Sequence, residues 1–200
     1  MKIKKSFILV SMVLASLFTF YLSSCLPASK PEIESSKDFD DNKVAIIGKV
    51  VLDPPIRDDE WSSQMFEHTK KLLIMNYKKE PHEQKKYFSP MGEDINLRHL
   101  SFSVPMGKTF YVNSEKKTFW IAGMTVVPRG YVQILMPARY KINIKKTDKV
   151  IYIGTFYYKF NELRKVIKTK FVDEYDSAKK DFARKFGLSK KIRKSLAEPF

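Results

Sequence analysis

The sequence predicts a mainly β protein, an antiparallel β-sandwich or barrel-like meander with a C-terminal α-helix (α+β). Between Lys43 and Val172, six or seven apolar, β-branched runs recur about every ten residues, the spacing of strands in all-β domains. Only residues 173–200 carry the period of an amphipathic helix. The body from Lys43 to Phe200 has 158 residues, enough for one domain with its own hydrophobic core.

Each strand is predicted from an apolar run and from the turn residues that end it. The first run, Val44–Leu52, is almost continuously apolar and stops at Asp53-Pro54-Pro55, as a buried strand does. Gly48 and Gly154 stand alone inside strands, which predicts a bulge or a close backbone approach at each. The other predicted strands cover residues 108–112, 118–127, 131–136, 138–144, 150–158 and 166–172.

Alternation along the strand at 166–172 predicts which side chains reach the core. Ile167 and Phe171 are an even number of residues apart, so they lie on the same face of the strand and are expected to face inward. Lys168 and Lys170 have the opposite parity and are expected to face solvent.

Residues 43–172 are interpreted as one β-rich domain with a long excursion at residues 53–105. The excursion contains one clear strand signal, Leu72–Met75, among charged residues and prolines. It is expected to be either a long segment laid over the sheet or a loop with a short helix near Trp61 to His68. Long ordered excursions in compact domains often carry function, so a binding surface is expected here first.

The segment 173–200 is predicted to be helical. Asp173 is a plausible N-cap, and Ala178, Phe182 and Phe186 recur at helical spacing, which indicates a face packed on the sheet. Gly187 suits the end of that helix. A last short helix is expected after Ser189, carrying the basic residues Lys190, Lys191, Arg193 and Lys194.

The first 24 residues have the order of a secretory signal peptide. Three lysines precede the apolar run Phe7–Tyr21, and small residues then lead to Cys25, the only cysteine. A run of 15 residues is short for a transmembrane helix, which needs about 20. A plain cleaved signal would leave Cys25 as an unpaired thiol in an exported protein.

The sequence Leu22-Ser23-Ser24-Cys25 resembles the lipobox of bacterial lipoproteins. The resemblance covers residues 1–25 and implies that the leader is cut before Cys25, which carries a diacylglycerol and an N-linked acyl chain such as palmitate. Residues 25–42, rich in serine, proline and charge, are predicted to form a flexible lipidated tether. Leu26 stands where an Asp would favour retention at the inner membrane of enteric bacteria, so the cell envelope, and within it the outer membrane, is the expected location.

Basic charge is concentrated in the last third of the chain. The whole chain carries a net charge of +15, and residues 141–200 contain 17 bases and 7 acids. For an exported, tethered protein, the expected anions are lipid headgroups, lipopolysaccharide phosphates, peptidoglycan carboxylates or host polyanions, and not chromosomal DNA. The alternative is that the lysine-rich surface reflects general composition and keeps the protein soluble. The residues predicted to bind a polyanion are Lys168, Lys170, Lys190, Lys191, Arg193 and Lys194.

Catalytic patterns are weak. The three histidines, His68, His82 and His99, have spacings that match no compact metal-ligand motif, and no glycine-rich phosphate loop or nucleophile elbow occurs. No catalytic residue, metal site or cofactor is therefore predicted. The expected function is non-enzymatic binding or scaffolding of another envelope protein or of an anionic polymer. The alternative is an envelope hydrolase or metal-dependent enzyme with its site in the 53–105 excursion.

Overall fold

The computed structural model describes residues 32–57, 71–77, 98–126, 134–187 and 190–200, with residues 98–101 described by their backbone alone. Over these residues the chain forms two β-sheets and one α-helix, which confirms the predicted β-rich α+β class. The strands are β1 Val44–Asp53, β2 Lys71–Tyr77, β3 Arg98–Pro105, β4 Thr109–Ser114, β5 Phe119–Val126, β6 Ile134–Met136, β7 Tyr140–Ile142, β8 Val150–Phe160, β9 Val166–Val172, β10 Ile192–Lys194 and β11 Glu198–Pro199, and the helix is α1 Tyr175–Phe186.

The first sheet has the order β10–β8–β1–β4, with β9 paired to β8 as well. Strand β8 pairs along one side with β1 and along the other side first with β10 and then with β9. The pairs β1–β8 and β8–β10 are parallel, so the expectation of antiparallel strands is wrong for part of this sheet. Parallel pairing arises because the second sheet intervenes between β1 and β8, and α1 intervenes between β9 and β10.

The second sheet has the order β11–β7–β5–β2–β3, with β6 also paired to β5, and all its pairs are antiparallel. The predicted strand at 72–75 is confirmed as part of β2. The excursion at 53–105 also supplies β3, which the sequence did not predict. These two strands place those described parts of the excursion in the second sheet rather than in a segment laid over it. The alternative of a short helix near residues 61–68 lies outside the described residues.

The main core lies between the two sheets and contains fully buried side chains of both, such as Val50, Ile74, Met124 and Ile151. A second, smaller core lies between the outer face of the first sheet and α1. In it Ala178, Phe182 and Phe186 pack on sheet residues that include Tyr152. The predicted packing of the aromatic helix face is confirmed.

The two isolated strand glycines lie where no side chain fits. A Cβ on Gly48 would lie 2.5 Å from Cζ of Phe110, and one on Gly154 would lie 2.2 Å from Cζ of Phe171. Gly154 also has a φ of 112°, and the β1–β8 register shifts at this point. The predicted bulge is confirmed here, whereas the close approach at each glycine is made by an aromatic ring and not by backbone.

The helix α1 begins one residue later than predicted. Glu174, rather than Asp173, occupies the N-cap position, while a carboxylate oxygen of Asp173 accepts a hydrogen bond from the backbone N–H of Tyr175 at 3.1 Å. Gly187 ends the helix in the left-handed conformation, with φ 61°, as the sequence predicts.

A bulge in β9 reverses the predicted direction of one side chain, that of Ile167. The β8–β9 register shifts so that Lys159 is opposite Lys168 while Phe160 is opposite Val166, which leaves Ile167 as the extra residue. Ile167 is 59 % exposed, so the prediction that it faces inward is wrong. Phe171, four residues beyond Ile167 on the same strand, packs against the core as predicted.

The prediction of a flexible tether is wrong for residues 32–42, here called the strap, while residues 25–31 lie outside the described residues. Ile33 is fully buried and its N–H donates to the carbonyl of Tyr111 at 2.8 Å. The ring of Phe39 meets those of Phe182 and Phe186 edge-on, at centroid distances of 5.8 and 5.1 Å. Two well-placed apolar side chains dock a segment whose average composition is polar.

The predicted last helix is also wrong, because residues 192–194 form β10. Ile192 is buried under α1, and its carbonyl accepts a hydrogen bond from the hydroxyl of Tyr175 at 2.7 Å. Ladder pairing with β8 and burial of Ile192 favour an extended strand over a short isolated helix.

Candidate anion-binding site

A basic pocket of about 630 Å³ lies at the end of the first sheet where β8 begins. Three segments meet there: the turn between β7 and β8, the residues that lead into β10, and the end of the strap. The parallel pairing of β10 with β8 brings the first two segments side by side. The lining residues are Asp41, Lys145, Thr147, Asp148, Lys149, Val150, Lys190, Lys191 and Arg193.

The pocket wall is fixed by the ion pair between Asp148 and Arg193. Nε of Arg193 donates to one carboxylate oxygen of Asp148 at 2.7 Å and Nη2 donates to the other at 2.5 Å. Nη2 also donates to the carbonyl of Asn143 at 2.7 Å, and the same carbonyl accepts from the hydroxyl of Ser195. The Asp148 side chain is only 5 % exposed, so these contacts tie β10 firmly to the β7–β8 turn.

The electrostatics of this pair favour both charged forms. Burial alone opposes ionisation of Asp148, but hydrogen bonds from Arg193 and from the backbone N–H of Lys145 outweigh it, so the pKa of Asp148 lies below its ordinary value. The hydrogen bond to Asp148 raises the pKa of Arg193. Arg193 is therefore committed to the wall and is less available to a ligand than its position in the sequence suggests.

The lysines of the pocket differ in what they contact. Nζ of Lys149 lies 3.8 Å from a carboxylate oxygen of Asp41 and donates to the Asp41 carbonyl at 3.2 Å. Nζ of Lys190 lies 4.2 Å from the centre of the Phe39 ring. Within the described part of the chain, neither Lys190 nor Lys191 forms an ion pair, and both are exposed. Their charges remain available to an anion.

The six residues predicted to bind a polyanion do not form one surface. Lys190, Lys191 and Arg193 line the pocket. Nζ of Lys194 instead lies 2.6 Å from a carboxylate oxygen of Asp173, and this contact lowers the pKa of Asp173.

Lys168 and Lys170 are in β9, farther along β8. Lys170 pairs with Tyr157, whereas Arg193 pairs with Ile151, so the two positions are about 20 Å apart along the strand.

The sequence pattern did not identify Lys145, Thr147 and Lys149 as residues of a binding site. The signal was present as a dense run of lysines in the turn before a clear strand, but its partner segment is about 45 residues away in sequence. Nothing in the local pattern indicates that these two segments meet.

A second polar cluster lies beside the first turn of α1. The Glu174 carboxylate accepts hydrogen bonds from Tyr157 at 2.8 Å and from Thr155 at 2.9 Å, and it lies 3.7 Å from Nζ of Lys49. Burial of this carboxylate is outweighed by those hydrogen bonds and the lysine, so the pKa of Glu174 is lowered. Both oxygens already accept from the sheet, so the cluster joins the helix to the sheet rather than presenting an open ligand site.

The alternative prediction is an enzyme with its site in the excursion. The side chains of the three candidate histidines are not described. His68 and His82 lie outside the described residues, and His99 is described only by its backbone in β3. Across the described ranges, no group of three histidine, cysteine, aspartate or glutamate side chains is placed to hold a metal ion.

Comparison with known proteins gives no match, whether with protein-family models, with curated proteins or with solved structures. Among the described residues, no helix has the length and the apolar character needed to cross a membrane. Cys25, the predicted lipidation site, lies outside the described residues.

Proposed function

We propose that this protein is a lipid-anchored bacterial envelope protein whose folded domain is a non-enzymatic module that binds an anionic polymer. The observation that carries the proposal is the basic pocket, in which Lys190 and Lys191 lie exposed without an ion-pair partner among the described residues. The pocket wall, held by Asp148 and Arg193, keeps the neighbouring backbone in place. A fixed wall bordered by exposed lysines suits the binding of a polymer with repeated anionic groups better than it suits catalysis.

The anchor in this proposal is Cys25. Its place at the end of a signal-like leader supports lipidation, and two or three acyl chains are enough for stable attachment to a bilayer. The proposed location is the cell envelope, with the outer membrane favoured. At such a place, the available anions for the pocket are phosphates and carboxylates of envelope polymers.

Binding in this site is electrostatic. Each lysine near an anionic surface contributes about 1 kcal/mol at ordinary salt, and the contribution falls as salt screens the charges. A polymer also gains from presenting several anions in succession, because the second contact is intramolecular once the first has formed. Thr147 adds a hydroxyl to the same lining, which can donate to a phosphate or carboxylate oxygen.

The proposal is tested by measuring the affinity of long-chain inorganic polyphosphate and of polyglutamate for wild type and for a Lys190→Ala/Lys191→Ala variant. Loss of two lysine contacts should weaken binding roughly 30-fold at ordinary salt, and by a larger factor at low salt. The matched control is Lys179→Ala/Lys180→Ala, which removes the same charge from two exposed positions of α1. Equal losses in both variants, or no binding by wild type at low salt, would contradict a specific pocket.

Lipidation is tested separately with Cys25→Ser. The wild-type protein should partition into the detergent phase and carry acyl chains by intact mass, whereas the variant should accumulate as an unprocessed precursor without them. An acyl modification that persists in Cys25→Ser would refute the anchor while leaving the pocket proposal intact.

A further inference from the structure

The tip of the β8–β9 hairpin presents two apolar side chains to solvent. Leu163 is 76 % exposed and Ile167 is 59 % exposed, the two highest values among the large apolar residues described. Single exposed apolar residues are ordinary, but two within four positions of one hairpin form a local apolar surface. The bulge in β9 is what turns Ile167 outward.

The hairpin holds these side chains in a defined place. The N–H of Asn161 donates to the Lys165 carbonyl at 3.0 Å, and the Arg164 N–H donates to the Asn161 carbonyl at 3.0 Å. The Lys165 N–H donates to the side-chain oxygen of Asn161 at 2.9 Å. Leu163 is thus displayed on a closed, hydrogen-bonded turn.

Basic residues flank the apolar tip along the two strands of the hairpin. Residues 159–170 contain five bases and one acid, Glu162. Lys159 and Lys168 are direct partners across the hairpin, and both are exposed together with Lys165. Exposed apolar side chains flanked by lysines match the boundary of an anionic bilayer, where apolar side chains enter the acyl region and cations contact headgroup phosphates.

We propose that the β8–β9 hairpin docks on an anionic lipid surface, with Leu163 and Ile167 entering the boundary between headgroups and acyl chains. Charge complementarity favours a lipid surface over an apolar protein groove, because exposed lysines flank the two apolar residues in the same hairpin. Docking sets the orientation of the domain on the membrane. Val150, at the pocket, and Lys159, in the hairpin, are nine residues apart on β8, so the pocket and the hairpin lie about 30 Å apart along the strand.

This inference uses the proposed membrane location but does not depend on what the pocket binds. A lipid anchor alone leaves a domain free to tumble above the bilayer, whereas a second contact fixes which face is turned away. Hairpin docking and pocket binding can therefore fail independently of one another.

The test places an environment-sensitive fluorophore at Glu162→Cys in the full chain, reconstituted in vesicles of phosphatidylcholine with and without phosphatidylglycerol. A second label at Thr147→Cys reports on the pocket end, and the parent chain treated with the same reagent gives the background from Cys25. On anionic vesicles, the label at 162 should shift to the blue and be quenched by nitroxide-bearing lipids. The label at 147 should show neither change, and neutral vesicles should give a smaller response at 162.

Variants then assign the effect to the apolar tip. Leu163→Ser/Ile167→Ser should lose most of the shift at 162, whereas Phe200→Ser, at the remaining large apolar residue described as exposed, should retain it. No shift at 162 on anionic vesicles, a shift unchanged in the double variant, or quenching of the 147 label instead would overturn the proposal. Polyphosphate binding by the hairpin variant, measured without vesicles, should equal that of wild type.

Discussion

Replacing Arg193 by glutamine removes the ion-pair partner of a carboxylate that is only 5 % exposed. Two hydrogen bonds to Asp148, of 2.7 and 2.5 Å, and one of 2.7 Å to the Asn143 carbonyl are lost. Asp148 keeps only the backbone N–H of Lys145 among its described partners. Removing one member of a buried ion pair costs 3–5 kcal/mol, and the low end applies because Arg193 is itself 30 % exposed. The expected loss of unfolding free energy is about 3 kcal/mol.

The assay is urea unfolding of wild type, Arg193→Gln, Asp148→Asn and the double variant at neutral pH. Because both side chains belong to one contact, the double variant should lose less than the two single variants together, with a coupling energy of about 2 kcal/mol. The control is Lys194→Gln in the same strand, whose partner Asp173 is exposed, so its effect should be much smaller.

The same pair predicts a pH dependence with a defined sign. The pKa of Asp148 is lowered in the folded protein, so its stabilisation is present above the ordinary carboxylate pKa of about 4 and is lost as the pH falls towards the lowered value. The difference in stability between wild type and Arg193→Gln should therefore narrow on acidification. Two results would refute the assignment of Asp148 as a buried, ionised partner. The first is that the losses of unfolding free energy in the two single variants add up in the double variant at neutral pH. The second is that the stability difference between wild type and Arg193→Gln does not change below about pH 4.

Two further changes test the packing that positions the site. Gly154→Ala should cost about 3 kcal/mol by urea unfolding, because its Cβ would lie 2.2 Å from Phe171 and its φ is 112°. Gly107→Ala, with φ 69° and no atom within 4 Å, should cost only about 1 kcal/mol, and equal costs would contradict the clash. Phe39→Ala should destabilise the domain by about 2 kcal/mol and speed hydrogen exchange at the buried N–H of Ile33, because the strap loses its contacts with α1. Unchanged exchange there would show that the strap docks without Phe39.

Hydrophobic patterning predicts those parts of the fold that depend on nearest neighbours in sequence. The run at 44–52 and the run at 150–158 are apolar enough to require burial wherever the chain places them, and both are central strands of the first sheet. The aromatic face of α1 is predictable for the same reason. By contrast, β10 has three residues and is stabilised by a partner strand about 40 residues away. The local sequence around it therefore predicts a helix that does not form.

The same distinction between local and long-range contacts holds for the candidate site. The basic density around Lys190 is visible in the sequence, but the pairing of Arg193 with Asp148 and the contribution of Lys149 depend on contacts between distant segments. The outward turn of Ile167 also could not be predicted, because one extra residue in β9 shifts the parity that alternation relies on. Residues whose role is set by register or by long-range pairing are the ones that sequence patterns misassign.

The central claim, that the basic pocket binds an anionic polymer, is tested most directly by lysine acetylation footprinting with and without polyphosphate, read by mass spectrometry. The account predicts that Lys190, Lys191 and Lys145 are protected in proportion to the bound polymer and lose protection as salt rises, while Lys179 and Lys180 of α1 are acetylated at an unchanged rate. Protection spread evenly over all lysines, or protection confined to α1, would contradict it.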